Sequence, residues 1–213
     1  MIIRKIESDA ELDEVAEFRY SIYVEEMGRR QRYADPSSRR VLEPLDQNAR
    51  ITAAYDAGGK IVGTLRTNYL SESDIGDYRA FYRIEEFGAP FEEHMTVTTK
   101  LMVRPELRAG TLPVRLAIEA YREGLNRGVV MDFIDCNRHL EGFFHKIGYR
   151  AYCGRRNHPE FGDVLPMVLY TRDWLHLSVV GSPLLKAARR VLPSGEARLD
   201  HRRIEPWIER GAA

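Results

Sequence analysis

The chain has 213 residues, of which 44% are hydrophobic and 30% charged, and its thirty-two basic residues balance thirty-two acidic ones. This length is enough for one domain with a substantial core, and the balanced charge gives no global field that would favour nucleic acid. Two cysteines without a CxxC or CxxxH spacing argue against a structural zinc site and against a disulfide scaffold, so no metal is expected. No apolar run reaches about 20 residues and the first residues lack a secretory-signal pattern, so we expect a cytoplasmic protein.

The first half of the chain predicts a strand, a helix and a pair of strands. Residues 1–6 alternate as a short strand, and a helix is expected from about Ala10 to Glu26. Residues 27–40 are typical of a loop, and residues 50–70 predict two strands around a turn rich in glycine. The apolar face of the helix is formed by Leu12, Val15, Phe18, Ile22 and Tyr23.

The second half alternates strands and helices. Short helices and loop are expected over residues 71–93. The regular elements that follow are a strand at 95–105, a helix at 112–128, a strand at 129–135, a helix at 138–147 that ends at Gly148, and a strand at 164–171. Such alternation predicts an α/β or α+β domain, with one sheet covered by helices.

The end of the chain predicts a helical tail. We expect a domain over residues 1–175 and a tail over 176–213, with an amphipathic basic helix near 183–192. A helix of this kind can lie in the interface of a membrane, so peripheral membrane contact by the tail is one interpretation. Packing against the domain and disorder are the others.

Two stretches resemble the GNAT acyltransferases. Residues 132–150 read DFIDCNRHLEGFFHKIGYR, which is similar to that family's last signature, an Asn followed by an aromatic, Lys and Gly-Phe/Tyr pattern. Residues 103–116 read VRPELRAGTLPVRL and resemble its fourth strand and phosphate loop. The resemblance implies a GNAT-like fold, with a central mixed sheet whose two splayed parallel strands receive an acyl-thioester arm.

The phosphate loop departs from the family pattern. The usual Arg-Gly-x-Gly-x-Gly/Ala becomes RAGTLP at residues 108–113, so Thr111 and Pro113 stand where glycines would let the backbone approach a pyrophosphate. The single phosphate of 4'-phosphopantetheine on an acyl carrier protein needs less close approach of the backbone than a pyrophosphate does. We therefore expect acyl carrier protein as partner, acyl-ACP or acyl-CoA as co-substrate, and no permanently bound cofactor. The family's usual Tyr, which protonates the leaving thiolate, is replaced by Phe144.

The first half and the following strand contain FRYSIYVEEMG at residues 18–28, EPLDQNA at 43–49, IVGTLRTNYL at 61–70 and TTKLMV at 98–103. These stretches resemble N-acyl-homoserine-lactone synthases and, more closely, FeeM-type N-acyl amino acid synthases. By motif position, the site residues that this resemblance implies are Arg19, Tyr23, Asp46 and Arg66. The lactone synthases also carry a Trp after the first helix and a Glu-x-x-Arg on the fourth strand. This chain has no Trp before position 174 and has Val-Thr-Thr-Lys at 97–100. The expected reaction is transfer of a fatty acyl group to the α-amine of an amino acid.

The candidate residues fall into three groups. Arg66 is expected to bind the acceptor's carboxylate, because guanidinium and carboxylate groups form forked hydrogen bonds. The candidate catalytic residues, as base or as orienting groups, are Asp46, Glu43 and His139. The candidate substrate-binding residues are Arg19, Tyr23, Arg66, Thr99, Lys100 and Cys136. The candidate contacts of the acyl carrier and its pantetheine arm are Leu101, Met102, Val103, Arg104, Arg108, Gly110 and Thr111.

Three other functions stay open from the sequence. They are synthesis of an acyl-homoserine lactone, acetyl transfer from coenzyme A to an amine, and a non-catalytic module that binds an acyl carrier. A basic landing surface for an acidic carrier is predicted from Arg104 and Arg108 together with Arg115, Arg122, Arg150, Arg155 and Arg156. The oligomeric state is not specified by the sequence, and a monomer is favoured.

Overall fold

The structure, a computed structural model, describes residues 1–191. These residues pack as two units. The first unit comprises Met1–Asn68 and Thr98–Ala120, and the second comprises Tyr69–Val97 and the described part of Tyr121–Ala213. The predicted boundary between residues 175 and 176 stays a prediction, and residues 192–213 lie outside the described part of the chain.

Residues 1–191 form a mixed α/β fold with a large, mostly antiparallel sheet. The strands are β1 (Ile2–Lys5), β2 (Ala34–Asp35), β3 (Arg40–Val41), β4 (Arg50–Tyr55), β5 (Ile61–Tyr69), β6 (Met95–Val103), β7 (Met131–Asn137), β8 (Arg150–Ala151), β9 (Arg156–His158) and β10 (Gly162–Tyr170). The α-helices are α1 (Asp9–Tyr20), α2 (Tyr78–Phe81), α3 (Leu112–Asn126), α4 (Glu141–Ile147), α5 (Trp174–Val179) and α6 (Pro183–Val191). The predicted fold class, α/β with helices flanking a mixed sheet, is confirmed.

The first unit is built on strands in the order β1, β4, β5 and β6. The pairs β1–β4 and β4–β5 are antiparallel. For β4 and β5 this agrees with the predicted turn that joins them. Helix α3 covers this sheet, and Leu112 and Leu116 of the helix pack on Leu65 and Val103 of the strands. The amphipathic pattern of the helix sequence therefore faces the sheet as predicted.

Helix α1 begins with a side-chain cap and ends in a wider turn. The Ser8 side chain accepts a hydrogen bond from the backbone N–H of Glu11, which satisfies one donor at the helix start. The predicted helix continues beyond Tyr20 as a π-helical segment over Ser21–Glu26. Such segments are rare and are found often at functional sites. The segment buries Ile22 and Tyr23, as the predicted apolar face requires.

The second unit places β7 between β6 and β10. Residues Met95–Val97 of β6 pair in parallel with Met131–Phe133 of β7, and β7 pairs antiparallel with β10. Strand β7 is a nearly continuous buried run, as its apolar sequence indicates. It begins and ends two residues later than predicted, at Met131 and Asn137.

The turn after α4 depends on a glycine. The predicted helix over residues 138–147 begins as a 3₁₀ turn, Arg138–Leu140, and becomes α-helical at α4. Gly148 follows with a φ of +129°, as a predicted helix end requires. A Cβ at this position would lie 2.4 Å from Cδ2 of Leu177, so the approach of α5 also requires glycine.

Three local features differ from or extend the prediction. The predicted loop at 27–40 contains the two-residue strand β2, and β3 begins at its last residue; both strands are too short to show a period in sequence. Helix α6 buries Leu184, Ala187 and Ala188, and membrane contact by its basic residues stays a prediction. No helix within residues 1–191 is long and apolar enough to cross a bilayer.

Candidate active site

Five charged side chains meet in the interior of the first unit. They are contributed by α1, by the 3₁₀ turn Pro44–Asp46 with the residue before it, by β5 and by β6. The five are Arg19, Glu43, Asp46, Arg66 and Lys100, and each is at most 7% exposed. Buried charges are costly unless they are paired, so a buried group of this size marks a candidate functional site. We call these five residues the charged cluster.

The two carboxylates of the cluster bridge its cations. Asp46 accepts from Nη1 of Arg19 at 2.8 Å and from Nη1 of Arg66 at 3.1 Å. Glu43 accepts from the same Nη1 of Arg66 at 2.7 Å and lies 2.5 Å from Nζ of Lys100. Removal of one partner from such a buried network typically costs about 3–5 kcal/mol, because a buried charge is left uncompensated.

The sequence Glu-Pro-Leu-Asp at residues 43–46 explains how the two carboxylates come together. Pro44 fixes the first position of the 3₁₀ turn, where no backbone donor is needed. The backbone N–H of Glu43 donates to the Asp46 side chain at 2.7 Å, which closes a capping box over the turn. In addition, Asn68 donates from Nδ2 to the carbonyl of Leu45 at 2.9 Å and holds the turn from β5.

Electrostatics keeps both carboxylates ionised. Burial alone would raise the pKa of Glu43, but the charges of Arg66 and Lys100 outweigh it and hold that pKa below its ordinary value. The same balance, with Arg19 and Arg66 as the cations, lowers the pKa of Asp46. Burial lowers the pKa of Lys100 against the opposing effect of Glu43, so its neutral form is favoured relative to a lysine in water.

Lys100 adopts an unusual backbone conformation within β6. Its φ is +56°, a value that non-glycine residues seldom take in a strand. The side chain places Nζ 4.9 Å from the ring centroid of Tyr23, in cation–π geometry, as well as beside Glu43. The preceding Thr99 accepts a hydrogen bond from Nε of Arg66 at 3.0 Å.

Seven of the predicted site residues therefore lie together in the first unit. Their common centre is the charged cluster, and the seven are Arg19, Tyr23, Glu43, Asp46, Arg66, Thr99 and Lys100. Asn68, which supports the Pro44–Asp46 turn, was not among the predicted site residues. Its position two residues after Arg66 in a strand, and so on the same face, was the available signal.

The predicted donor segment follows β6 into α3. Met102 and Val103 are buried and Leu101 is half-buried. Arg108 donates from Nε to the carbonyl of Val103 at 2.8 Å, and its two terminal nitrogens form a fork on Glu26 at 2.6 and 2.7 Å. These contacts fix the chain where it leaves β6, so Arg108 has a structural role here beside the predicted one.

The two residues before α3 are exposed. Gly110 and Thr111 precede the helix at the surface, and the carbonyl of Thr111 accepts the N–H of Arg115 at 3.0 Å. The orphan N–H groups and dipole of a helix N-terminus favour an anion such as a phosphate. Arg104 donates its backbone N–H to Val62 at 3.0 Å, and its charge lowers the pKa of Asp56, after the hydrogen bonds that Asp56 receives from Lys60 and Gly58.

The remaining candidates lie in the second unit. His139 is exposed in the turn Arg138–Leu140. Cys136 is buried in β7 with its Sγ 3.6 Å from Sδ of Met167, and burial raises the pKa of its thiol to about 12. Because the thiolate is the reactive form, this environment fits a packing role for Cys136 and disfavours a nucleophile.

The basic residues predicted for a landing surface are partly engaged within the second unit. Arg155 donates to Glu141 and Asp163, and Arg150 donates to Asp173. Arg156 donates to the carbonyl of Phe81 at 2.9 Å. Because these arginines already have hydrogen-bond partners within the chain, the landing surface stays a prediction. It rests most directly on Arg104, since Arg108 is held by Glu26 and by the carbonyl of Val103.

Comparison with known protein families identifies the family of this chain. The sequence profile of the N-acyl amino acid synthase FeeM family matches residues 14–173. The matched region covers about three quarters of the chain and contains the whole charged cluster. No curated protein sequence matches the chain significantly.

Solved structures of acyltransferases share the fold. FeeM, an N-acyl amino acid synthase from uncultured soil microbes, superposes with a TM-score of 0.65 at 14% identity over 87% of this chain and 96% of its own. MesI, described as a CoA-dependent acyl-homoserine lactone synthase, gives 0.64 at 18% identity over 89% of this chain and 94% of its own. An aminoglycoside 6'-N-acetyltransferase complexed with coenzyme A gives 0.55 at 16% identity over 80% and 97%. These structures confirm the predicted GNAT-like fold.

Proposed function

Because this chain belongs to the N-acyl amino acid synthase FeeM family, we propose that it moves a fatty acyl group from an acyl carrier protein to the α-amine of an amino acid. The family match over residues 14–173 is the observation that carries the proposal, and it identifies the chain as an N-acyltransferase. The finer assignment, of carrier-bound donor and amino acid acceptor, is supported by the charged cluster and by the loop before α3.

The proposed reaction is aminolysis of a thioester. The neutral amine of the acceptor attacks the thioester carbonyl, an N–C bond forms, and the C–S bond breaks. The amine loses one proton, and the carrier leaves as a thiolate that takes up a proton to become the free thiol. No covalent intermediate on the protein is needed, because positioning of the amine against the carbonyl contributes several kcal/mol.

The charged cluster is suited to the acceptor. Glu43 and Asp46 have lowered pKa values, which makes them weak bases, so we assign them to positioning Arg19, Arg66 and Lys100. Lys100 has a lowered pKa because it is buried, so it is the side chain of the cluster best suited to accept the amine proton. His139, the other predicted base, has an exposed position in the second unit.

The segment 101–111 is suited to the donor. The end of β6 would lie along the pantetheine arm, and the exposed residues Gly110 and Thr111 at the start of α3 would receive its phosphate. Pro113 lies in the first turn of α3 and removes one N–H from that start. A loop with fewer free donors fits the single phosphate of a carrier better than the pyrophosphate of coenzyme A.

Mass spectrometry of lipid extracts tests the proposal. The chain is expressed in a bacterial host beside an empty vector and beside an Arg66→Ala variant, which removes the central cation of the charged cluster. New masses that equal a fatty acyl group plus one amino acid are expected with the wild-type chain alone. An acyl-homoserine lactone or an acetylated amine in their place would overturn the assigned acceptor or donor. Soluble, folded chain with no turnover of any acyl thioester would favour a non-catalytic acyl-carrier-binding module.

A further inference from the structure

Arg19 has one hydrogen-bonding edge that the protein leaves unsatisfied. The side chain is 0% exposed, and its Nη1 donates to Asp46 at 2.8 Å. Its Nε and Nη2 are buried and have no hydrogen-bond partner anywhere in residues 1–191. Buried donors are nearly always satisfied, and charged ones are especially costly when they are not. This edge therefore fits an acceptor group that the protein itself does not supply.

The acceptor oxygens of the cluster are already committed. In Glu43, Oε1 lies beside Lys100 and Oε2 accepts from Arg66. In Asp46, Oδ1 accepts from Arg66, and Oδ2 accepts from both Nη1 of Arg19 and the N–H of Glu43. All four carboxylate oxygens thus have partners, and none of those partners is the Nε–Nη2 edge of Arg19.

The shape of this edge selects a two-oxygen anion. Nε and Nη2 lie on the same side of the planar guanidinium, so their N–H bonds are parallel and match the two oxygens of a carboxylate. Arg66 presents no equivalent edge, because its Nε already donates to Thr99. The role of Arg66 as the carboxylate fork stays a prediction, and the Nε–Nη2 edge of Arg19 is a second candidate for it.

The charge of the cluster points to the same ligand. Arg19 and Arg66 are balanced by Glu43 and Asp46, which leaves Lys100 as the fifth ionisable group. Once Lys100 has accepted the amine proton of the acceptor, the buried cluster has a net charge of +1, and a carboxylate bound beside it would neutralise that charge. A bound carboxylate would therefore favour transfer of the amine proton to Lys100.

We propose that the Nε–Nη2 edge of Arg19 binds the carboxylate of the acceptor, and that the chain thereby selects α-amino acids over amines that lack a carboxylate. The inference rests on the proposed function for the identity of the ligand as the acyl acceptor. Because Arg19 is fully buried, the ligand reaches this edge only when a neighbouring side chain moves.

A comparison of acids with their amides tests this site without any substitution. The wild-type chain is titrated with the proteinogenic amino acids and with their carboxamides, and binding is measured by thermal shift and calorimetry. A carboxamide keeps the size of the ligand but loses the charge and one acceptor oxygen. We expect at least one amino acid to bind, with its carboxamide weaker by about 10- to 100-fold, as loss of a charge-assisted pair implies.

Two lysine variants locate the selectivity. Arg19→Lys keeps a positive charge but removes the fork, and it should reduce the preference for acid over amide to near parity. Arg40→Lys is the matched control, because Arg40 lies in the same unit but pairs with Asp13 and Glu17 near the surface. Its preference should equal that of the wild type, and circular dichroism checks that both variants are folded.

The outcomes separate this inference from the proposed function. No preference for any acid over its amide would overturn the inference and indicate that an internal water satisfies the edge. Selective binding of an acid without formation of any N-acyl product would support the inference and overturn the proposed function. Equal acylation of acids and amides would retain acyl transfer and overturn the carboxylate site.

Discussion

Thr99 and Lys100 are neighbours in β6, yet both side chains reach the charged cluster. In a regular strand, consecutive side chains point to opposite faces of the sheet. The φ of +56° at Lys100 breaks this alternation, so that Thr99 contacts Arg66 while Lys100 contacts Glu43. A local break of this kind bends a strand and redirects a side chain, as bulges beside active sites do.

The interrupted alternation at Lys100 limits what the sequence predicts at the scale of single residues. Arg19, Asp46 and Arg66 could be named from motif positions, and the turn that joins Glu43 to Asp46 follows from Glu-Pro-Leu-Asp. The direction of Lys100 could not be predicted, because alternation is the rule that fails there and no glycine signals the positive φ.

The buried position of Lys100 predicts how stability depends on pH. Its pKa is lowered in the folded chain, chiefly by burial, from the ordinary value of 10.5. Between the lowered pKa and 10.5 the unfolded chain binds more protons than the folded one, so the free energy of unfolding should rise with pH in that window. Lys100→Met removes this contribution, and urea unfolding at a series of pH values below 10 measures it.

The control for this experiment is an exposed lysine in the same unit. Lys60→Met changes the same residue type in the turn between β4 and β5. Its plot of the free energy of unfolding against pH should run parallel to that of the wild type. A wild-type stability that is flat over the window, or a Lys100→Met curve with the wild-type slope, would show that Lys100 has an ordinary pKa in the folded chain.

At the scale of elements, the contact between α3 and its sheet depends on a glycine in β5. A Cβ on Gly63 would lie 3.1 Å from Cδ1 of Leu116, 3.2 Å from the carbonyl oxygen of Met102 and 3.3 Å from Cγ2 of Val103. Gly63 therefore allows the helix and β6 to approach β5 closely. The sequence predicted all three elements, but their spacing depends on side-chain packing that periodicity does not report.

Gly63→Ala should destabilise the chain by about 1–3 kcal/mol, because one of the three crowded atoms is a backbone oxygen that cannot move independently. Denaturation in urea measures the change. Gly142→Ala is the control: it lies in α4, nothing is within 4 Å of its would-be Cβ, and alanine favours a helix. Its stability should be unchanged or slightly higher. Equal stability of Gly63→Ala and the wild type would mean that Leu116 and its neighbours repack without cost.

Element boundaries were predictable where the sequence shows a long period. Helix α3 and strands β4, β5 and β6 lie within about two residues of their predicted limits. The π-helical end of the first helix, Ser21–Glu26, was not predicted, because the same apolar face continues through it. Strands β2 and β3 were missed because two residues define no period.

At the scale of the whole molecule, the order of elements carried the prediction of fold and family. Alternating strands and helices with the signatures at 103–116 and 132–150 indicated a GNAT-like acyltransferase, and the family profile over 14–173 agrees. Composition contributed little beyond excluding other classes, since a net charge of zero is compatible with most soluble enzymes.

Because the net charge is zero, the proposed recognition of an acidic carrier protein would depend on local charge at the docking surface. We expect Arg104→Glu to raise KM for a carrier-bound acyl donor about 10-fold and to leave KM for the matching acyl-CoA nearly unchanged, because charge at a docking surface acts on association with the protein partner. Arg104 suits this test better than Arg108, whose side chain holds Glu26 and the carbonyl of Val103.

Steady-state kinetics with both donors at low and moderate salt provides the measurement, since salt screens exposed charges and should narrow the difference between wild type and variant. Arg40→Glu is the control, because it changes the net charge by the same amount in the same unit. If KM for the carrier-bound donor rises equally in Arg104→Glu and Arg40→Glu, the effect comes from overall charge. If Arg104→Glu raises KM equally for both donors, Arg104 contacts the pantetheine arm that both donors share. If KM is unchanged for both donors, Arg104 does not take part in donor binding.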